Sequence, residues 1–280
     1  MNAKLLDHRY GKSRVRVLKV IRDGARHSVK ELDVAVALEG DFETSYTSGD
    51  NSQVVATDTI KNTVNVLAHR HLALENERFA LTLARHFLEK YPQVQTASVK
   101  AVERVWGRMS LDGQPHAHSF SQAQQAQPFT EVTVTRAAET IEAGINDLLI
   151  LKSTGSGFEG YPRCELTTLP ETRDRIFATS MTATWTYSSE PANYFDASRA
   201  IMDAMMKPFA ENYSPSVQTT LFEMGEAALA ACEHISQIHL AMPNKHYLLI
   251  NLTPFEIENR NELFLPTDEP HGQIEATVAR

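Results

Sequence analysis

The 280-residue sequence predicts an α+β fold made of two tandem units, residues 1–138 and 139–280. Each unit is expected to be an antiparallel sheet with helices on one face. Three observations predict this. Period-two strand patterns occur in pairs, stripes with residues four apart mark paired helices, and the order strand pair, helix pair, strand pair recurs in each half. The halves share element order rather than evident identity.

The elements can be justified in turn. "RVRVLKV" (14–20) alternates, as do Leu32, Val34, Val36 and Leu38, with Asp23 and Gly24 as turn residues between them: a hairpin. "QVVATDTIKNTV" (53–64) begins extended and ends helical, because Ile60, Val64 and Leu67 fall at helical spacing. A second helix spans about 75–91, with Phe79, Leu83 and Phe87 on one stripe. Extended chain returns at 94–109 and in "EVTVT" (131–135), while Gln-rich "SFSQAQQAQPF" (119–129) reads as a loop. In the second half "NDLLILKST" (146–154) reads as a buried strand, and Met181, Ala183 and Trp185 alternate. Ile201, Met205 and Phe209 mark a helix over 196–212 that Pro208 should kink or shorten. Leu221, Met224, Ala228 and Cys232 mark another over 216–235. "QIHLAM" and "YLLINL" are expected to form a hairpin, and "QIEATV" an edge strand. Uncovered sheet edges invite pairing with another chain, so closure by oligomerisation is expected.

Composition excludes several classes. A formal charge of −8 argues against a nucleic-acid coat or a polybasic membrane surface. An anionic ligand would need a local pocket of Arg and Lys. Cys164 and Cys232 are the only cysteines and lie far apart, so neither a disulfide framework nor a thiolate zinc site is indicated. No apolar run approaches the ~20 residues of a membrane helix. The N-terminus lacks a signal-peptide core and "TVAR" is not a peroxisomal address. A cytoplasmic protein is expected.

Several stretches could carry chemistry. Thr57 or Asp58 could be a helix N-cap, or the helix start could hold an anion beside the Thr57 hydroxyl. In "MPNKHYLLINL" Asn244 and His246 fall two apart, so in extended chain both point to one side, an amide and an imidazole able to bind an oxygen species and relay a proton. "LKSTGSGFEGYPR" (151–163) matches neither GxGxxG nor GxxxxGK[ST] and suits a loop presenting Phe158. His116 and His118 have the spacing of a metal pair, but apart from Asp112 no carboxylate or cysteine nearby completes a set, and no metal is expected. Arg175 is one of several arginines in its stretch. Ser216 is placed to cap a helix whose first turn carries Gln218.

Together, "YGK" (10–12), "VVATDTIKNT", "HAHSF", "LKSTGSGFEGY" with "TTLPETRDRI", "SVQTT" and "MPNKH", in that order, make the chain resemble the urate oxidases over essentially its whole length. The resemblance implies two tandem tunnelling-fold (T-fold) domains in a homotetramer, with active sites between subunits and neither metal nor organic cofactor. It implies that Lys12 and Thr57 handle the proton and His246 extends the relay. Arg175 and Gln218 would clamp a purine, Phe158 would stack on it, and backbone groups of Asp58 and Val217 would read its edge. Asn244 would sit with Thr57 where water or dioxygen binds. A planar guanidinium suits a planar anion, and an aromatic face suits a purine. Urate and dioxygen are then the expected small-molecule partners; a pterin or purine-ring hydrolase of the same fold, or a non-catalytic purine binder, is the alternative. Leu166 stands where the family has an aromatic and Met242 where it has Leu, both expected to be absorbed by packing; Cys164 is also unusual.

Overall fold

A computed structural model describes residues 3–73, 75–122 and 125–280. The chain is α+β, its recorded strand ladders antiparallel, and it divides into two compact units. The first comprises Met1–Gly144 and Thr186–Asp196, the second Ile145–Trp185 and Ala197–Arg280.

In the first unit β1 (Tyr10–Asp23) and β2 (Arg26–Gly40) form the expected hairpin, with the turn at Gly24 and Ala25. After a short α1 (Glu43–Thr47) come α2 (Thr57–His71) and α3 (Asn76–Lys90), then β3 (Val94–Arg104), β4 (Gly107–Leu111), β5 (Gln114–Ser121), β6 (Gln127–Thr135) and the start of β7 (Glu139–Lys152). Strand order is β1-β2-β3-β6-β7. Val36 faces Val99 and Val99 faces Val132 across neighbouring strands. All three are buried with Ile60 and Val64 of α2 and Phe79, Leu83 and Phe87 of α3. Burying each such side chain contributes roughly 1.5–3 kcal/mol, so the period-two and period-four stripes meet in one core. The stretch 119–129 departs from the loop reading, because β5 runs to Ser121 and β6 starts at Gln127; Ala123 and Gln124 lie outside the described residues. β5 pairs with β4 in a two-stranded hairpin, and ladder bonds override its polar composition.

The second unit holds the rest of β7, then β8 (Phe177–Tyr187) as far as Trp185, α4 (Tyr194–Glu211) from Ala197 onward, α5 (Val217–Ala231), β9 (Ile235–Ala241), β10 (Asn244–Leu249), β11 (Phe264–Gly272) and β12 (Glu275–Ala279). Met181, Ala183 and Trp185 are buried, as are Ile201, Met205, Phe209, Leu221, Met224, Ala228 and Cys232 on the helices. Two expectations about the strands need correction. β9 and β10 are no hairpin: both pair with β8, while β12 adds to β9 and β11 to β10. Met242 and Pro243 break a strand without reversing it. The stretch "NDLLILKST" is strand but not buried, since Leu149 and Leu151 are exposed. Pro208 does not end α4, which runs three residues further. It sits in the last turn, so the one bond it cannot donate, back to the Ala204 carbonyl, is lost with only three helical residues left to follow. Met242 is fully buried, whereas Leu166, at 82% exposure, is not absorbed by packing. No described helix is long and apolar enough to cross a membrane.

Candidate active site

The first unit joins Lys12 to the start of α2. Lys12 is partly buried on β1 opposite Val36, and the β1–β2 register shifts between Lys12 and Val15, a bulge that re-aims side chains. Gly11 allows the close strand approach there, since a Cβ would lie 1.8 Å from the Val36 carbonyl oxygen. One residue earlier, Tyr10 packs edge-on against Phe42, 4.8 Å between centroids, and its hydroxyl accepts a 2.7 Å hydrogen bond from the Val55 N–H. Burial, chiefly, holds that phenol above its ordinary pKa. This bond fixes the extended run entering α2 against the strand that carries Lys12.

Neither Thr57 nor Asp58 is the N-cap. That position is Ala56, which makes no side-chain cap, so the first helical N–H groups lack a side-chain partner. Thr57 and Asp58 are the first two helical residues, both exposed. The Asp58 carboxylate accepts hydrogen bonds from Lys61 and, at 2.9 Å, from Asn62. Lys61, then Asn62 and the charge of Lys12, hold it below the usual carboxylate range against slight desolvation. The Thr57 hydroxyl makes no hydrogen bond among the described residues, so it remains free for a ligand.

The second unit gathers Phe158, Arg175 and the start of α5. The glycine loop is clamped on two sides. Phe158 N–H donates to the Thr172 carbonyl (2.7 Å) and Arg175 N–H to the Ser156 carbonyl (2.8 Å), while Gly157 N–H donates to the Ser214 carbonyl (2.8 Å). The Arg175 guanidinium lies 5.4 Å from the Phe158 ring centroid, and Tyr161 stacks on Phe158 at 4.8 Å. Arg175 is partly buried, and desolvation pulls it below the usual arginine value, with Tyr213 opposing. Among the described residues no carboxylate pairs with it. Its neighbour Arg173, by contrast, is largely exposed and bonded to Glu159. Beyond Ser214, Ser216 caps α5 as expected, its hydroxyl accepting from Thr219 N–H at 3.2 Å. Val217, buried, and Gln218, exposed, open that helix.

Asn244 and His246 lie on β10, both partly buried. Asn244 faces Thr179 of β8, and the ladder with β11 shifts between the two residues, from Gly272 to Thr267. The extra residues of that shift lie on β11, while β10 keeps regular pairing with β8 through Asn244 and Lys245. Lys245 between them pairs with Asp268. His116 and His118 meet edge to face at 4.7 Å on β5, and no cluster of three or more metal-ligating residues occurs among the described residues. Tyr161 and Tyr213 escaped the sequence reading. For Tyr161 the signal was an aromatic three residues after Phe158 in a glycine-flanked loop.

Fold and clusters define an α+β protein with an arginine that has no carboxylate partner among the described residues, set over an aromatic shelf, and an uncapped helix start beside a lysine, groups suited to a flat anion. A family model described as Uricase matches residues 8–133 and 141–275, and the chain belongs to that family. It is 43% identical to an Arabidopsis thaliana uricase, over 98% of this chain and 96% of the relative. It is 40% identical to one from Arthrobacter globiformis, over 98% and 89%. The crystal structure of the Arthrobacter uricase superposes with a TM-score of 0.94, covering 100% of this chain and 96% of that one. The protein is accordingly an oxidoreductase.

Proposed function

We infer that the protein oxidises urate with dioxygen and water to 5-hydroxyisourate and hydrogen peroxide. One observation carries this reading: Arg175, a partly buried cation with no carboxylate partner among the described residues, stands over Phe158. A desolvated guanidinium without a counter-ion is costly unless an anion completes it, and a planar purine anion fits both fork and ring. The relatives' name, uricase, supplies the particular purine.

In this reading Arg175 and Gln218 grip urate, Phe158 stacks on it, and the backbone of Asp58 and Val217 reads its edge. Lys12 and Thr57 take the proton that leaves an electron-rich dianion, and His246 extends the relay. The substrate gives two electrons to dioxygen, water adds the hydroxyl at carbon 5, and the two protons released appear in peroxide. Asn244 and Thr57 hold the oxygen species. No other redox group is required, because urate is itself the reductant. The resemblance also implies a homotetramer whose sites lie between subunits.

The test is direct. In air-saturated buffer the near-ultraviolet absorbance of urate should fall with one peroxide formed per urate. Protein dialysed against a chelator, with no flavin absorbance, should keep full activity. Hydrolysis of the ring without oxygen uptake would instead select the hydrolase reading, and activity returning only with added zinc, copper or iron would overturn the cofactor-free one.

A further inference from the structure

We propose that Tyr213 is a positioning residue for Arg175, a strap that crosses the glycine loop and fixes the segment from which the guanidinium projects; this rests on the urate-binding reading above. The Tyr213 hydroxyl donates to the Arg173 carbonyl at 3.1 Å, two residues before Arg175. It passes directly over Gly157, where a Cβ would come within 2.2 Å of the phenol oxygen and 2.8 Å of the Thr172 carbonyl. Glycine at 157 is therefore what admits the strap.

The base of the strap is anchored independently. Lys152 Nζ donates to the Asn212 carbonyl (2.8 Å), Ser214 N–H to the Gly155 carbonyl (2.9 Å), and the Thr220 hydroxyl to Ser214 Oγ (2.7 Å). The turn between α4 and α5 is thus tied at its root to the glycine loop and to α5, and among the described residues Tyr213 makes its one hydrogen bond to the 172–175 segment. On the far side Arg175 N–H is held by Ser156. Remove the phenol oxygen, and the lead-in to Arg175 keeps only its bonds to the loop. Tyr213 is 52% exposed, and among the described residues its hydroxyl has one hydrogen-bond partner, the Arg173 carbonyl. A bidentate grip tolerates little misplacement of the fork, so the loss should appear in binding before it appears in chemistry.

The experiment uses Tyr213→Phe in the full chain. Hydrogen exchange should accelerate at the Gly157 and Arg175 amides and stay unchanged in α2 and α3. The KM for urate and the Ki of a non-oxidisable xanthine should rise about five- to tenfold, the scale of one lost hydrogen bond, with kcat nearly constant. Unchanged exchange at Arg175 overturns the strap, whatever the assay shows. Faster exchange with unchanged KM and Ki overturns its role in ligand binding. If wild type binds the xanthine and Arg175→Gln does not, the urate reading stands even where the strap falls. If wild type neither binds nor oxidises urate, that reading falls, and exchange alone decides whether Tyr213 holds Arg175.

Discussion

Lys12 and Arg175 carry different parts of the proposed chemistry, so their substitutions should separate kinetically. Lys12→Met should lower kcat by about 10² or more, the scale of a general acid–base group, while affinity for a non-oxidisable xanthine changes far less. Equal losses in both, or none, would remove Lys12 from the proton path. Arg175→Lys keeps the charge and loses the fork, and Gln218→Ala deletes an amide. Each should weaken binding of the same analogue by about 1–3 kcal/mol; undiminished binding would place the pocket elsewhere. The residue types needed for this were legible in the sequence, but their states were not. Arg173 and Arg175 look alike in "ETRDRI", yet one bonds Glu159 while the other forms no ion pair among the described residues. That difference arises from chain folded against them, as does the Tyr213 bond from forty residues away. Thr57 shows the same limit: its string suggested a cap, and only the backbone shows Ala56 in that place.

The helices and the first hairpin were legible because each has a single buried stripe whose period shows in the sequence. Strand partners were less so. Nothing in an apolar run says which neighbour it pairs with, hence the false hairpin of β9 and β10 and the β7 run that stays exposed. Charged residues inside an element are similarly opaque. Glu77 opens α3, a place that favours acids for dipole reasons, yet it is only 6% exposed. Lys30 from β2, Glu103 from β3, Glu75 and Tyr194 face it, and Lys30 is bonded to Glu103. Burial lifts the Glu77 carboxyl from 4.5 to about 7, reinforced by Glu75 and Glu103 and opposed by its own N–H and Lys30. The folded chain therefore keeps a proton that the unfolded chain sheds. The associated stability is fully present below about 4.5 and is lost as pH rises through about 7. Glu77→Gln should stay neutral throughout, gaining up to about 3 kcal/mol over wild type above that range. Urea midpoints of both proteins across the window check this; parallel pH profiles would show that Glu77 does not titrate there.

At the level of the assembly, a single chain leaves apolar strand residues bare. Leu149 and Leu151 on β7, Leu248 and Leu249 on β10 and Leu265 on β11 are all exposed, and such surface commonly marks an interface. Sequence periodicity could not reveal this, since it reports apolarity and not what covers it. The proposed tetramer places Lys12 and Thr57 of one subunit beside Arg175, Gln218 and Phe158 of its neighbour. A two-fold pair then holds two sites, each drawing on both chains. Lys12→Met and Arg175→Gln homomers should each be nearly inactive. In a hybrid pair one site collects both lesions and the other none. Random co-assembly makes about half the pairs hybrid with one working site of two, so co-expression should restore roughly a quarter of wild-type activity. Mixing the separately purified mutants should restore none unless subunits exchange. Mixed tetramers, verified by differential tagging, that stay as inactive as either parent would mean that each site is built within one chain.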